Sequence, residues 1–323
     1  MLLPCLPARS IPVRLKENAE GSQIEWLDNG PISSPLFEQA SSELRRELTE
    51  LGLRPRWTGV DTLTAGADYS PESSPAALLF HTSRCGSTLL TRMLATLAES
   101  SVIAESVILD QLSNGSQAVT VDEATRIARL RGFVQAHARA ARPGRCWVKF
   151  DCHHIFHLDL IRRAFPGVPW VFLYRNPVEV IVSHTRQRGL PMVPSEADAL
   201  SWPDYGRRPM RELLDEHTAR MIGRICTSAA DGHRHGESLL VNHRDLVARL
   251  QTEILPFLKV HADTTELAGI TRCLEEDAKH PGQAFAPDSA AKRAEASFLI
   301  KQAVVEHAQA AYQRVEALAA PIC

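Results

Sequence analysis

Residues 80–94, Phe80-His-Thr-Ser-Arg-Cys-Gly-Ser-Thr-Leu-Leu-Thr-Arg-Met-Leu94, decide how the rest of this chain is read. The apolar run in front of them, Ala76 to Phe80, has the length and composition of a short buried strand. Thr82 to Ser87 is a loop of small residues, and a helix is expected to open at Thr88. A strand, a tight loop and a helix N-terminus form an anion site, because the loop N–H groups and the helix dipole point at the same place. Gly86 lets the backbone approach closely. Arg84, Ser87 and Thr88 add a cation and hydroxyl donors, so the segment Arg84-Cys85-Gly86-Ser87-Thr88 is the candidate binding loop. An ordinary strand-to-helix turn is built from the same residue types and is the alternative at this point. The nucleotide-triphosphate loop GxxxxGK[ST] does not fit. The only glycine is Gly86, no Lys precedes Ser87, and the cation stands before the glycine.

A second segment has the same logic. Trp147-Val-Lys-Phe-Asp151 reads as a strand end, a helix pattern runs from about His154 to Phe165, and Pro169 to Tyr174 is a third apolar strand. It leads into Arg175-Asn-Pro-Val-Glu-Val-Ile-Val-Ser183. Pro177 suits the first turn of a helix, where its missing N–H costs nothing. Arg175 then stands at the strand's carboxyl end with Ser183 about two helical turns further on, a pair able to grip one phosphate from two sides. Strands alternating with helices predict an α/β fold of three layers, a parallel sheet with helices on both faces. Ligands of such sheets sit at the carboxyl ends of the strands, where both segments fall.

Together the two segments resemble the sulfotransferases that use 3′-phosphoadenosine 5′-phosphosulfate (PAPS). The first is similar to that family's P-loop-like 5′-phosphosulfate loop, written PxSGTT or PRSGTT. The second is similar to its 3′-phosphate element, Arg followed by Ser eight residues later, as in Arg175 and Ser183. The nearest type is the tyrosylprotein and bacterial one, with Arg in the loop, a Glu after the first helix and a Lys before the second element. Glu105 and Lys149 match those positions. The resemblance spans roughly residues 78–189, with a weaker echo of the RYEDL segment in Leu239 to Val247. Departures are Cys85 for Ser, Ser87 for Thr, Phe80-His81-Thr82 for Gly-x-Pro, and His243 for Tyr.

The resemblance implies a PAPS-dependent enzyme that needs no metal. Arg84 and the loop, Cys85 to Thr88, hold the 5′-phosphosulfate; Lys149 stabilises the leaving oxygen; Arg175 and Ser183 hold the 3′-phosphate. Glu105 is the first choice for the base. Partial burial at a strand end is expected to raise its pKa into a useful range. Asp151 and His153 are the alternatives for that role, and a helix-starting Glu that merely favours the dipole is the plain reading of Glu105. His243, Lys279 and His280 are candidate nucleotide contacts.

Length and composition are compatible with this. The 323 residues are 44% hydrophobic and 23% charged with a net charge of −2, which is ordinary for a globular protein and gives no general attraction to nucleic acid or membrane. No apolar run is long enough to span a bilayer, and the start lacks a basic signal region. Seven cysteines without a CxxC pair argue against a zinc site or disulfide framework and for a cytoplasmic compartment. Cys85, beside Arg84 and a helix start, is expected to have a lowered thiol pKa if it is more than a loop filler.

Residues 1–70 read as an accessory region with two short strands, at Ile11 to Leu15 and Ile24 to Leu27, and a helix from Phe37 to Leu51. Residues 65–75 read as a linker, and 76–323 as the main domain. Asp122 to Ala141 is an amphipathic helix whose arginines form a solvated face. Residues 189–208, with Trp202 and Tyr205, read as a substrate lid or a long surface loop. Helices follow at Met210 to Ala230, Arg244 to Phe257, Thr264 to Glu276 and Ser289 to Ala319, with a strand at Ser238 to Val241. The acceptor, small molecule or peptide, is not readable. A P-loop kinase and a non-catalytic nucleotide-binding protein on the same fold are the rival functions.

Overall fold

The computed structural model describes residues 9–18, 21–28, 30, 32, 34, 37–65, 71–115, 120–141, 144–275 and 288–320. Lys279 and His280 lie outside the described residues, as do Cys5 and Cys323.

Near the N-terminus β1 (Ile11–Asn18), β2 (Gly21–Leu27) and β3 (Arg56–Gly59) form an antiparallel sheet in that order, with α1 (Phe37–Glu50) between β2 and β3. The four-residue β3 is too short to show a period, and sequence reading passed over it. The main sheet holds five parallel strands: β4 (Ala77–His81), β5 (Ser100–Ala104), β6 (Arg145–Lys149), β7 (Trp170–Tyr174) and β8 (Ser238–Asn242). Their spatial order is β5-β6-β4-β7-β8. The chain leaves central β4 toward one edge, returns through β6, and crosses to β7 on the other side. The crevice beyond the carboxyl ends of β4 and β6 is therefore the switch point where such sheets take ligands.

Both faces of this sheet are covered, which is why its strands are apolar almost throughout. On one face Leu79, Ala104, Trp147 and Leu173 pack with α2 (Ser87–Ala95) and α8 (Thr264–Glu275). On the other, Leu78, Phe80, Val148 and Phe172 share a core with α3 (Val107–Ser113), α4 (Glu123–Ala140), α5 (Leu158–Ala164), α6 (Pro177–Arg186) and α7 (Met210–Gly232). This is the three-layer α/β arrangement expected from the sequence, with the small N-terminal sheet beside it.

The N-terminal sheet shares the second core: Ile11, Val13, Ile24 and Trp26 belong to the same apolar cluster as Phe133 and Val134 of α4. His137 donates from Nε2 to the Pro12 carbonyl at 2.9 Å, and its burial pulls its pKa down to about 4. At Gly132 a Cβ would stand 1.7 Å from the Leu63 carbonyl oxygen, so only glycine allows this contact. Contacts with neighbouring elements also correct the expectation of a solvated arginine face on α4. Arg129 is buried and paired with Asp61 at 2.7 Å, Arg126 donates to the Ser113 carbonyl, and Arg131 donates to that of Ala164.

Three helices also differ from the pattern read in the sequence. The stretch 289–319 is broken into α9 (Ser289–Glu295), α10 (Phe298–His307) and α11 (Gln309–Ala319). Ala296 is extended, and Ser297 restarts the helix by accepting the Ile300 N–H, as a capping serine does. Residues 243–257 pass through 3₁₀, α, π and α turns, because Pro256 has no N–H to continue a regular helix. The segment after β6 starts as a 3₁₀ helix, Cys152–His157, before α5. No helix among the described residues is long and apolar enough to cross a membrane.

Candidate active site

Strand register brings the first group of residues together. Lys149 ends β6 opposite Leu79 of β4 and Ala104 of β5. Glu105 follows Ala104 and donates its N–H to the Lys149 carbonyl at 2.8 Å. His81 ends β4, two residues past Leu79 and on the same face. Lys149 Nζ lies 2.8 Å from Glu105 Oε1 and 3.4 Å from Thr88 Oγ1, and His81 Nε2 lies 3.0 Å from the same Glu105 oxygen. Lys149 and His81 are buried, whereas 40% of the Glu105 side chain is open to solvent. One oxygen of a partly exposed carboxylate thus meets two covered donors.

The loop itself is strained. Ser83, Arg84 and Glu105 all have positive φ, three of five such non-glycine residues among those described. A conformation of this kind costs about 1–3 kcal/mol per residue and persists where surrounding structure enforces it, most often at functional sites. Gly86 has φ +85°, and a Cβ there would meet His243 Nδ1 at 2.8 Å. His243 therefore packs under the loop. Gly86 precedes α2 and has no side chain to cap it, so the N–H groups of the helix start receive no side-chain cap. Ser87 is buried in that first turn, and Arg84 reaches across to the Gln187 carbonyl at the end of α6.

One electrostatic expectation is corrected, and of the two readings of Cys85 the loop filler is the one that holds. Burial alone would push the Glu105 carboxyl up, but the Lys149 charge and the His81 contact outweigh it and hold it well below the usual carboxylate range. Cys85 is completely buried, and desolvation raises its thiol pKa in spite of nearby Lys149 and loop hydrogen bonds. Its Sγ donates to the Leu173 carbonyl at 3.3 Å, the role of a loop filler.

The alternative bases are otherwise engaged. Asp151 accepts the Cys152 N–H at 2.6 Å as the cap of the 3₁₀ helix. His153 pairs with Asp110 at 2.7 Å, which against the opposing effect of burial raises its pKa. Among the described residues three groups lie close enough to hold a cation: Asp110 with His153 and His154, Asp151 with Cys152 and His153, and His81 with Glu105 and Asp151. Sequence spacing gave no sign of them. However, His81 Nδ1 accepts the Ser83 N–H at 2.9 Å and His154 Nδ1 accepts that of Asp151 at 3.1 Å. This leaves the proton of each neutral ring on Nε2, facing the carboxylate as a donor and not as a metal ligand.

At the end of β7 the second group is arranged differently. Arg175 is buried, and its Nε donates to Glu179 at 2.7 Å. Another nitrogen bonds Asp288 Oδ1 at 2.8 Å and Ser289 Oγ at 3.0 Å. Asp288 Oδ2 is 2.6 Å from the Nζ of Lys292, itself buried. The bonds of Arg175 thus go to these groups and to the Arg84 carbonyl, not to Ser183, which is half-buried two turns along α6. Asp288 and Lys292, missed by sequence reading, sit in a helix end that carries no motif. Trp202 packs on His217 at 5.5 Å, and Tyr205 is exposed.

No protein-family model and no curated protein matches this sequence. Solved structures similar to the chain include a sulfotransferase from Mycobacterium avium, at 11% identity and a TM-score of 0.49 over 84% of each chain. A sulfotransferase domain of the Synechococcus olefin synthase is similar over 79% of this chain and 98% of that one, at 17% identity and a TM-score of 0.46. A mouse sulfotransferase complexed with PAP is similar over 80% and 93%, at 9% identity and the same TM-score.

Proposed function

We propose that this protein is a sulfotransferase that moves a sulfuryl group from PAPS to a hydroxyl or amine acceptor. One observation carries the reading: a buried lysine, Lys149, and an open carboxylate, Glu105, meet beside the uncapped start of α2 at the switch point of the sheet. The loop N–H groups, Arg84, Ser87 and Thr88 would hold the 5′-phosphosulfate, and Arg175 with Ser183 the 3′-phosphate.

The chemistry follows from those positions. An acceptor oxygen forms a bond to sulfur as its proton passes to Glu105. The bond from sulfur to the bridging oxygen breaks, and the electron pair leaves on the 5′-phosphate. Lys149 neutralises that oxygen, as positioned cations do in phosphoryl transfer. The low resting pKa of Glu105 is compatible with a base that is armed by the donor. The bound phosphosulfate draws on the Lys149 charge and adds negative charge nearby, and both effects raise the carboxyl pKa.

The saturation of Arg175 by Glu179 and Asp288 favours a second reading, a phosphotransferase for a nucleotide without a 3′-phosphate. Calorimetric titration separates the two. Tight binding of 3′,5′-adenosine bisphosphate, with weak binding of ADP and ATP–Mg²⁺, supports the sulfotransferase. The reverse order overturns it.

A further inference from the structure

His81 is a departure from the loop pattern with no role assigned to it, yet it lies at the centre of the candidate site. It ends the central strand and is 3% exposed. Its two ring nitrogens face different partners. Nδ1 accepts the N–H of Ser83, a residue in left-handed conformation, and so ties the ring to the binding loop. Nε2 therefore carries the proton of the neutral ring. That nitrogen is buried without a well-aligned hydrogen bond, and Glu105 Oε1 stands 3.0 Å away. A covered donor directed at a carboxylate, close but not yet aligned, is a contact that tightens when the site closes on its reactants.

We propose that His81 is a positioning residue of the transfer reaction: its Nε2–H holds Glu105 Oε1 and so presents the other carboxylate oxygen to the acceptor's proton. This rests on the sulfotransferase reading. Through Nδ1, the same ring couples the carboxylate to the loop proposed to hold the donor, so a change at either one is felt by the other. Other charged or titratable groups facing Glu105 are Lys149, Arg84, Asp151, Cys152 and His153. Of these only Lys149 also touches Oε1 in an ion pair.

Two substitutions separate the two ring contacts. His81→Asn keeps an acceptor near Nδ1 for Ser83 and removes the donor to Glu105. His81→Gln does the opposite. Turnover is read as sulfate released from PAPS with water as acceptor, and donor binding as calorimetry with 3′,5′-adenosine bisphosphate. His81→Asn is expected to lower kcat roughly tenfold, the effect of one hydrogen bond, with the donor KM little changed. The acid limb of its pH–rate profile moves to higher pH, because a carboxylate that loses a donor binds its proton more tightly. His81→Gln restores kcat.

Wild-type kinetics in His81→Asn, with weakened bisphosphate binding in His81→Gln, would show that the ring serves the loop alone. Nitrogen NMR of histidine-labelled, unliganded protein decides the contact independently of turnover. The His81 Nε2–H signal is expected to shift in Glu105→Gln, and an unmoved signal overturns the proposal. If the wild type neither binds the bisphosphate nor releases sulfate, the sulfotransferase reading fails, while the NMR result still decides the His81–Glu105 contact.

Discussion

The two candidate anion-binding segments look alike in sequence, each a buried strand followed by a cation and a hydroxyl, but they are in opposite states. At the carboxyl ends of β4, β5 and β6 the carboxylate of Glu105 neutralises Lys149 while keeping 40% of its side chain open. At the end of β7 Arg175 is buried under two carboxylates, Glu179 and Asp288, and the latter also occupies Lys292. Asp288 offers one oxygen to each of two buried cations, as a phosphate would. A cation's availability therefore depends on where its counter-carboxylate faces. In the first region the carboxylate stays partly open to solvent, whereas in the second the protein's own carboxylates cover the cations.

The largest effect that would break this contrast is in the first region. Glu105→Gln should reduce sulfuryl transfer by about 10²–10⁴-fold, the usual contribution of a positioned base, while retaining bisphosphate binding. An unchanged rate would move the base to Asp151 or His153. Lys149→Ala should cost about 10²–10³-fold in turnover, as loss of one preorganised charge does. Wild-type turnover in purified Lys149→Ala would end its leaving-group role.

The second region is predicted to respond with the opposite sign. Asp288→Asn frees Arg175 and Lys292 and should tighten bisphosphate binding roughly tenfold in calorimetry. Weaker binding would mean that Asp288 orients Arg175 instead of occupying its site. The smallest effect sharpens the picture of Glu105. Its proton affinity is low in the free protein and rises when the donor engages Lys149. The rate falls as pH drops through that pKa, so the acid limb of kcat should lie at higher pH than that of kcat/KM. Coincident limbs would show that donor binding leaves the carboxylate unaffected.

Sequence reasoning reached the parallel strands because they are apolar runs ending in loop chemistry, and the family resemblance singled out Glu105 and Lys149, which the structure brings together beside the candidate loop. It misjudged the arginines of α4, since their partners, Asp61 and the Ser113 and Ala164 carbonyls, come from other elements of the chain. It missed His81 as a partner of Glu105 because that contact joins two strands separated by β6. It also set the pKa of Glu105 in the wrong direction, reading burial along the chain where the dominant charge comes from a neighbouring strand.

The chain itself determined the strand–loop–helix segments, the glycine within the loop and the cation at each strand end, because these depend on local backbone and side-chain chemistry. Only the tertiary structure decided which carboxylate meets which cation. Such pairings depend on strand order and register. They put Glu105 beside Lys149 and His81 and closed Asp288 over Arg175, 113 residues away in sequence.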